Sequence, residues 1–108
     1  MAQLPRITHL QFLVLGNLLE GIRTGQEIRD RLKTQGARKT GPAFYQMMGR
    51  LEDSGFVRGE YDQQVIDGQI IKQRRYRITA VGKRAWTRSR DFYLESIRGF
   101  EDEGLANA

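Results

Sequence analysis

Residues 40–57 constrain the fold of this chain more than any other stretch. Thr40-Gly41-Pro42 opens a helix, with Pro42 as its first residue, where a missing N–H costs nothing. Phe44, Met47, Met48 and Leu51 recur at spacings of three and four, which gathers them on one apolar face. Ala43, Gln46, Gly49 and Arg50 fall on the opposite face, and Gly55 supplies the stop. Two strand-like runs follow, residues 56–65 and 70–78, separated by Asp67-Gly68. That dipeptide is a strong signal for a two-residue type I′ hairpin. A short helix therefore leads directly into an arginine-rich hairpin.

The flanking segments predict three more helices. Thr8 with Gln11 forms a capping box before Leu10, Phe12, Leu13, Val14, Leu15, Leu18 and Leu19, and Gly21 ends the segment. An all-round apolar helix of this kind is the buried central one. Thr24 with Glu27 opens a second, shorter helix. Ile28 and Leu32 make its apolar stripe, Arg23, Arg29, Arg31 and Lys33 are expected to face outward, and it stops near Gly36. In the returning strand Tyr76 and Ile78 share one face, Arg75 and Arg77 the other. Thr79 then caps a fourth helix carrying Val81, Ala85, Trp86, Phe92, Tyr93, Ile97 and Phe100. That stripe is too long and too aromatic to rest on so small a core. The expected architecture is mainly α with a β-hairpin wing: a winged helix-turn-helix over residues 1–79, then a C-terminal helix and acidic tail over 80–108.

Composition narrows the function. At 108 residues the chain is one domain with at most one added helix. No cysteine is present, which excludes disulfides and thiolate zinc sites and makes a cytoplasmic location the simplest reading. No signal peptide is evident, and the longest apolar stretch is far below the ~20 residues of a membrane span. With one histidine, no phosphate-binding glycine loop and scattered carboxylates, neither an enzyme nor a cofactor or metal site is expected. His9 reads as structural or solvated.

The net charge of +5 favours a polyanion, and the placement of that charge says more than its size. Lys72, Arg74, Arg75, Arg77, Lys83, Arg84, Arg88 and Arg90 follow one another without an intervening acid. After Asp91 the sign reverses through Glu95, Glu101, Asp102 and Glu103 against Arg98. Basic residues on a hairpin are ordinarily a solvated face. Here the run coincides with a helix-turn-helix and a basic linker, which points to double-stranded DNA and not to a membrane. Ala43 suits a thymine methyl, Gln46 suits adenine, and Arg50 completes the exposed face. Lys39 and Thr40 before the helix, and Lys72, Arg74 and Arg75 from the wing, suit phosphates. Tyr45 divides evenly between core packing and a phosphate contact.

Several segments also resemble one family. Residues 13–21, Leu-Val-Leu-Gly-Asn-Leu-Leu-Glu-Gly, are similar to the opening helix of PadR-like transcriptional regulators. Thr24-Gly25-Gln26-Glu27-Ile28 resembles their Gly-Tyr-Glu-Ile segment, and residues 44–52 resemble their Leu-Tyr-x-x-Leu-x-x-Leu-Glu recognition helix. Gly55-Phe56-Val57 resembles the exit of that helix, and residues 74–82 the returning strand with its Thr-x-x-Gly helix start. The resemblance covers residues 8–100 and implies a homodimeric, repressor-like regulator on a pseudo-palindromic operator. It implies a dimer contact through Trp86, Phe92, Tyr93, Ile97 and Phe100, and a DNA role for Tyr45. It also implies a small aromatic effector, for which Trp86 and Phe92 are the candidate contacts. Gln26, Gly49 and Pro42 depart from the family's pattern. The alternative is a winged-helix interaction module that dimerises without binding DNA.

Overall fold

The computed structural model describes residues 4–105. Helix α1 (His9–Asn17) precedes a two-residue strand β1 (Arg23–Thr24) and helix α2 (Gly25–Thr34). Helix α3 (Gly41–Asp53) leads into strands β2 (Val57–Ile66) and β3 (Gln69–Ile78). Helix α4 (Ala80–Phe100) follows and runs on into a π-helical turn, Glu101–Leu105. The three strands form one antiparallel sheet in the order β1-β3-β2. This is the expected winged helix-turn-helix with a C-terminal helix. Parts of residues 1–3 and 106–108, assigned above to the two ends of the domains, lie outside the described residues.

Local chemistry sets the element ends. Both capping boxes form: the Thr8 and Thr24 hydroxyls accept from the N–H groups of Gln11 and Glu27, whose side chains accept in return from the cap N–H groups. The Thr40 hydroxyl accepts from Ala43 N–H. Gly41 is therefore the first residue of α3 and Pro42 the second, one place later than expected. The wing turn is the predicted one, because Asp67 (φ 52°) and Gly68 (φ 77°) both adopt the left-handed conformation that a type I′ turn demands.

The core gathers Val14, Leu15, Leu18, Ile28, Leu32, Phe44, Met47, Met48, Leu51, Val57 and Tyr76. Leu10, Phe12 and Leu13 are only partly covered, so α1 is less engulfed than its composition suggests. It also ends at Asn17, four residues before Gly21. Asn17 is buried, and its polar groups are engaged where the helix ends. Its Nδ2 donates to Leu13 O and Gln35 Oε1, its Oδ1 accepts from Arg31 Nε (2.8 Å), and its backbone carbonyl accepts from Arg23 Nε (2.7 Å). A polar hub thus joins α1, β1 and α2, and two arginines expected to point outward are tied to it. The short strand β1, which nothing in the hydrophobic pattern announces, fixes this corner by pairing Arg23 with Tyr76 and Thr24 with Arg75.

Tyr76 closes the core from the sheet side. Burial pushes its phenol up to about 12 against the nearby Arg74 cation, which acts in the opposite direction. A raised pKa on a group neutral at pH 7 means stability that is complete below about pH 10 and is lost as the pH climbs towards 12. Thermal unfolding followed from pH 8 to 12 should show this decline, and Tyr76→Phe should flatten it.

Candidate nucleic-acid interface

Helix α3 is held on the body by Phe44, Met47, Met48 and Leu51, all buried. Its outer face therefore consists of Gln46 and Arg50, both exposed, flanked by Ala43 and Gly49, which are half-buried. No neighbouring atom lies within 4 Å of the place a Gly49 Cβ would occupy, so this face is open and flat at its centre. Gly49→Ala should therefore stabilise α3 by up to about 1 kcal/mol, read as a rise in melting temperature. Tyr45 borders this face and is 43% exposed. Its ring meets Phe44 edge-on at 5.0 Å, and its hydroxyl end lies where a Gly25 Cβ would stand. Ring edge and hydroxyl thus lie over Gly25 at the start of α2, while part of the side chain stays exposed beside the outer face of α3.

The approach to α3 is basic. Arg38 and Lys39 are exposed just before the Thr40 cap. Arg29 reaches across from α2 and donates to Lys39 O (3.4 Å), close to Gly41. Sequence reasoning placed Arg29 on a solvated face. In the fold it joins the positive rim at the N-terminus of α3, where the helix dipole already favours anions. Only its i+10 relation to Lys39 across the linker carries that information, and no periodicity reports it.

The wing distributes its cations unevenly. Lys72 is exposed opposite Gln63. Arg75 pairs with Asp62 at 3.0 Å and Arg77 with Glu60 at 3.7 Å, both on the outer face and both well exposed. Exposed pairs of this kind contribute little and open readily to a phosphate. Arg74 is different. Its guanidinium points back to the body and donates to Glu52 Oε1 on α3 at 2.6 Å, with both side chains about three-quarters covered. It also lies 4.8 Å over the Tyr61 ring and 5.7 Å from that of Tyr76. Burial alone would lower the Arg74 pKa, but the hydrogen bond and charge of Glu52 outweigh it and hold the cation more firmly. The pair crosses β2 at Gly59, where any Cβ would collide with both the Glu52 carboxylate and the Arg74 guanidinium. Arg74, expected from sequence to be a free phosphate ligand, is engaged by the body of the protein.

Along α4 the expected dimer residues divide into two groups. Trp86 stacks on Phe12 (5.5 Å, 2° between planes), and Tyr93 meets His9 with 2.7 Å between its hydroxyl and Nδ1. These two rest on α1 of the same chain, so part of the apolar surplus read from sequence is intramolecular packing. Ile97 and Phe100 are half and 78% exposed. Phe92, half-buried, turns its ring edge to Tyr93 at 5.6 Å. The Trp86 indole N–H is buried against Gly16 without a hydrogen-bond acceptor among the described residues. His9, expected to be structural or solvated, is the partner that docks Tyr93.

Among the described residues no cluster of His, Cys, Asp or Glu suited to a metal ion occurs, and no helix is long and apolar enough to cross a membrane. The arrangement defines a winged helix-turn-helix protein with a basic rim around an exposed third helix. No protein-family model and no curated protein sequence matches the chain. Solved structures do. A PadR family transcription regulator from Clostridium difficile superposes with a TM-score of 0.73 at 16% identity, covering 91% of this chain and 99% of that one. A PadR family regulator from Eggerthella lenta gives 0.71 at 25% identity, covering 86% and 79%. Bacillus subtilis PadR in complex with operator DNA gives 0.60 at 24% identity, covering 74% of this chain and 46% of that longer one. The chain has the PadR-type fold.

Proposed function

We propose that this protein is a sequence-specific DNA-binding transcriptional regulator, a repressor that acts as a homodimer on a pseudo-palindromic operator. The observation that carries the reading is the exposed face of α3, Gln46 and Arg50 with Ala43, standing beside a rim of Lys39, Arg38 and Arg29. The likeness to a PadR structure determined with operator DNA supports it. In this reading Gln46 and Ala43 address base edges, Arg50, Tyr45, Lys39 and Thr40 address phosphates, and Lys72 and Arg75 extend the contact from the wing. Residues 1–79 carry the DNA-binding function and residues 80–108 the dimer contact. Two α3 helices about 34 Å apart then read successive major-groove turns.

Selection of bound duplexes from a random pool tests the proposal, with two related half-sites one turn apart as the expected product. A pool that stays unenriched overturns it. Lys39→Ala should weaken binding to all duplexes and reduce the slope of log K against log salt by about 0.9. Gln46→Ala should instead change the preferred sequence, leaving the slope intact. The engaged wing arginines favour one second reading, a winged-helix interaction module that does not bind DNA. Absence of any salt-dependent duplex binding is its signature.

A small aromatic effector at Trp86 and Phe92 is the finer part of the proposal. Its support is the unpartnered indole N–H, which would donate to a phenolic oxygen if Phe12 moved aside. Quenching of the single tryptophan by a panel of phenols should accompany release of DNA, and unchanged emission across the panel rules the effector out.

A further inference from the structure

The wing carries apolar side chains that its phosphate contacts do not use. Tyr61 (74% exposed) and Val65 (70%) lie on β2, and Ile70 on β3 is also exposed. The register sets Tyr61 opposite Arg74, Gln63 opposite Lys72 and Val65 opposite Ile70. These residues share the sheet face that brings Val57 and Tyr76 into the core. Towards the turn that face is uncovered, with Gln63, Val65, Ile70 and Lys72 all exposed.

The edge of the wing is open as well. Strand β2 is the outer strand of the β1-β3-β2 sheet, and no described strand pairs with its far side. Ile66 and Gln69 close the two-residue turn as the hydrogen-bonded pair, so by alternation Tyr61, Gln63 and Val65 turn their N–H and C=O groups outward. Sheets ordinarily guard such an edge with lysine, proline or a bulge. Here the register runs unbroken from Val57 to Ile66, and Gln63-Gln64-Val65-Ile66 carries no charge and no proline. The acids just before that stretch are neutralised within the hairpin, Asp62 by Arg75 and Glu60 by Arg77.

We propose that β2 pairs antiparallel with β2 of a second copy, about a two-fold axis at Gln63. In this register Tyr61 of one copy meets Val65 of the other, Asp62 meets Gln64, and Glu60, held by Arg77, meets Ile66. An aromatic ring beside a β-branched side chain is a favourable cross-strand pair, and no two like charges stand opposite one another. The amide of Gln64 already donates to Asp62 within the strand at 3.3 Å, so the same two groups suit each other across the axis. The outward residues exchange roughly six backbone hydrogen bonds, and two hairpins become one four-stranded sheet. This self-complementarity selects a second copy over a foreign strand, because one edge supplies both halves of every pair. The contact uses no residue of α3 or α4, so it stands apart from the dimer proposed above. Where copies also pair through α4, the two contacts join pairs into larger assemblies.

The chain has no cysteine, so one introduced thiol reports the axis. In full-length Gln63→Cys the two thiols sit on residues whose Cα atoms lie about 5.5 Å apart across the axis, within disulfide reach. Gln69→Cys, exposed on β3, keeps them at least three strand spacings apart, roughly 14 Å. At equal concentration under a mild oxidant, Gln63→Cys should form the covalent dimer roughly tenfold faster than Gln69→Cys. Adding Val65→Lys should remove that advantage, because it takes away the apolar partner of Tyr61, and adding Val65→Ile should keep it. Circular dichroism checks that each variant is folded. Equal rates for the two thiols, or an advantage that survives Val65→Lys, overturn the wing pairing. A dimer held through α4 alone leaves the two rates equal, so the homodimer reading stands or falls separately.

Discussion

Arg74→Ala should lower affinity for every duplex by roughly tenfold and destabilise the fold by about 2 kcal/mol, without changing the salt slope of binding. The reason is the ion pair with Glu52, 2.6 Å long and largely covered, which ties the wing to α3. Losing one partner leaves the other charge partly buried and unpaired, which costs more than an exposed pair would. A phosphate ligand would behave otherwise: its loss would reduce the slope by about 0.9 per contact. The exchange Glu52→Arg with Arg74→Glu separates the two roles. It keeps the tie and removes the cation from the wing, so recovery of most of the affinity identifies Arg74 as a positioning residue. An exchange variant that binds as poorly as Arg74→Ala, with a shallower slope, identifies a phosphate contact instead.

Gly82→Ala should be the more damaging change to stability, on the order of 3 kcal/mol, or about 12–24 °C of melting temperature for a domain of this size. A Cβ there would collide with the carbonyl oxygen of Phe56 and come within 2.8 Å of Ile78 Cγ1. The carbonyl cannot step aside. The Phe56 carbonyl accepts from Thr79 N–H at 3.1 Å, and the Thr79 hydroxyl both donates to Gly55 O at 2.5 Å and accepts from Gly82 N–H. The start of α4 is thereby bonded to the end of α3, and the glycine lets the two backbones approach. Calorimetry on the variant, with Gly49→Ala as a control expected to move the other way, measures the difference. Equal melting temperatures for Gly82→Ala and the parent would exclude the collision.

The helices, the wing turn and the core face of α3 were legible because each is a local property. Thr caps, Pro42, the spacing of Phe44, Met47, Met48 and Leu51, and Asp67-Gly68 act within a few residues of where they stand. What escaped involves partners distant in sequence. Glu52 and Arg74 are 22 residues apart, so nothing in either neighbourhood reveals the pairing. The same holds for the arginines gathered on Asn17 and for Arg29 beside Lys39. Strand β1 is too short to carry a period, and it forms only because β3 offers an edge. At the site, exposure could be read from helical phase for Gln46 and Arg50. Whether a given cation was free could not, since that depends on which acid the fold brings beside it.

The aromatic residues around which the body is built also make the molecule self-reporting. Trp86 sits only in the seam between α1 and α4, against Phe12, so its emission follows the attachment of α4 and is blind to the wing. Tyr61 and Tyr76 lie in the wing and at its root, both close to Arg74, and Tyr45 lies at the edge of α3. Tryptophan emission therefore follows the departure of α4 alone, while the tyrosine signal sums the wing, the edge of α3 and Tyr93 in the same α1–α4 seam, with no label attached to the chain.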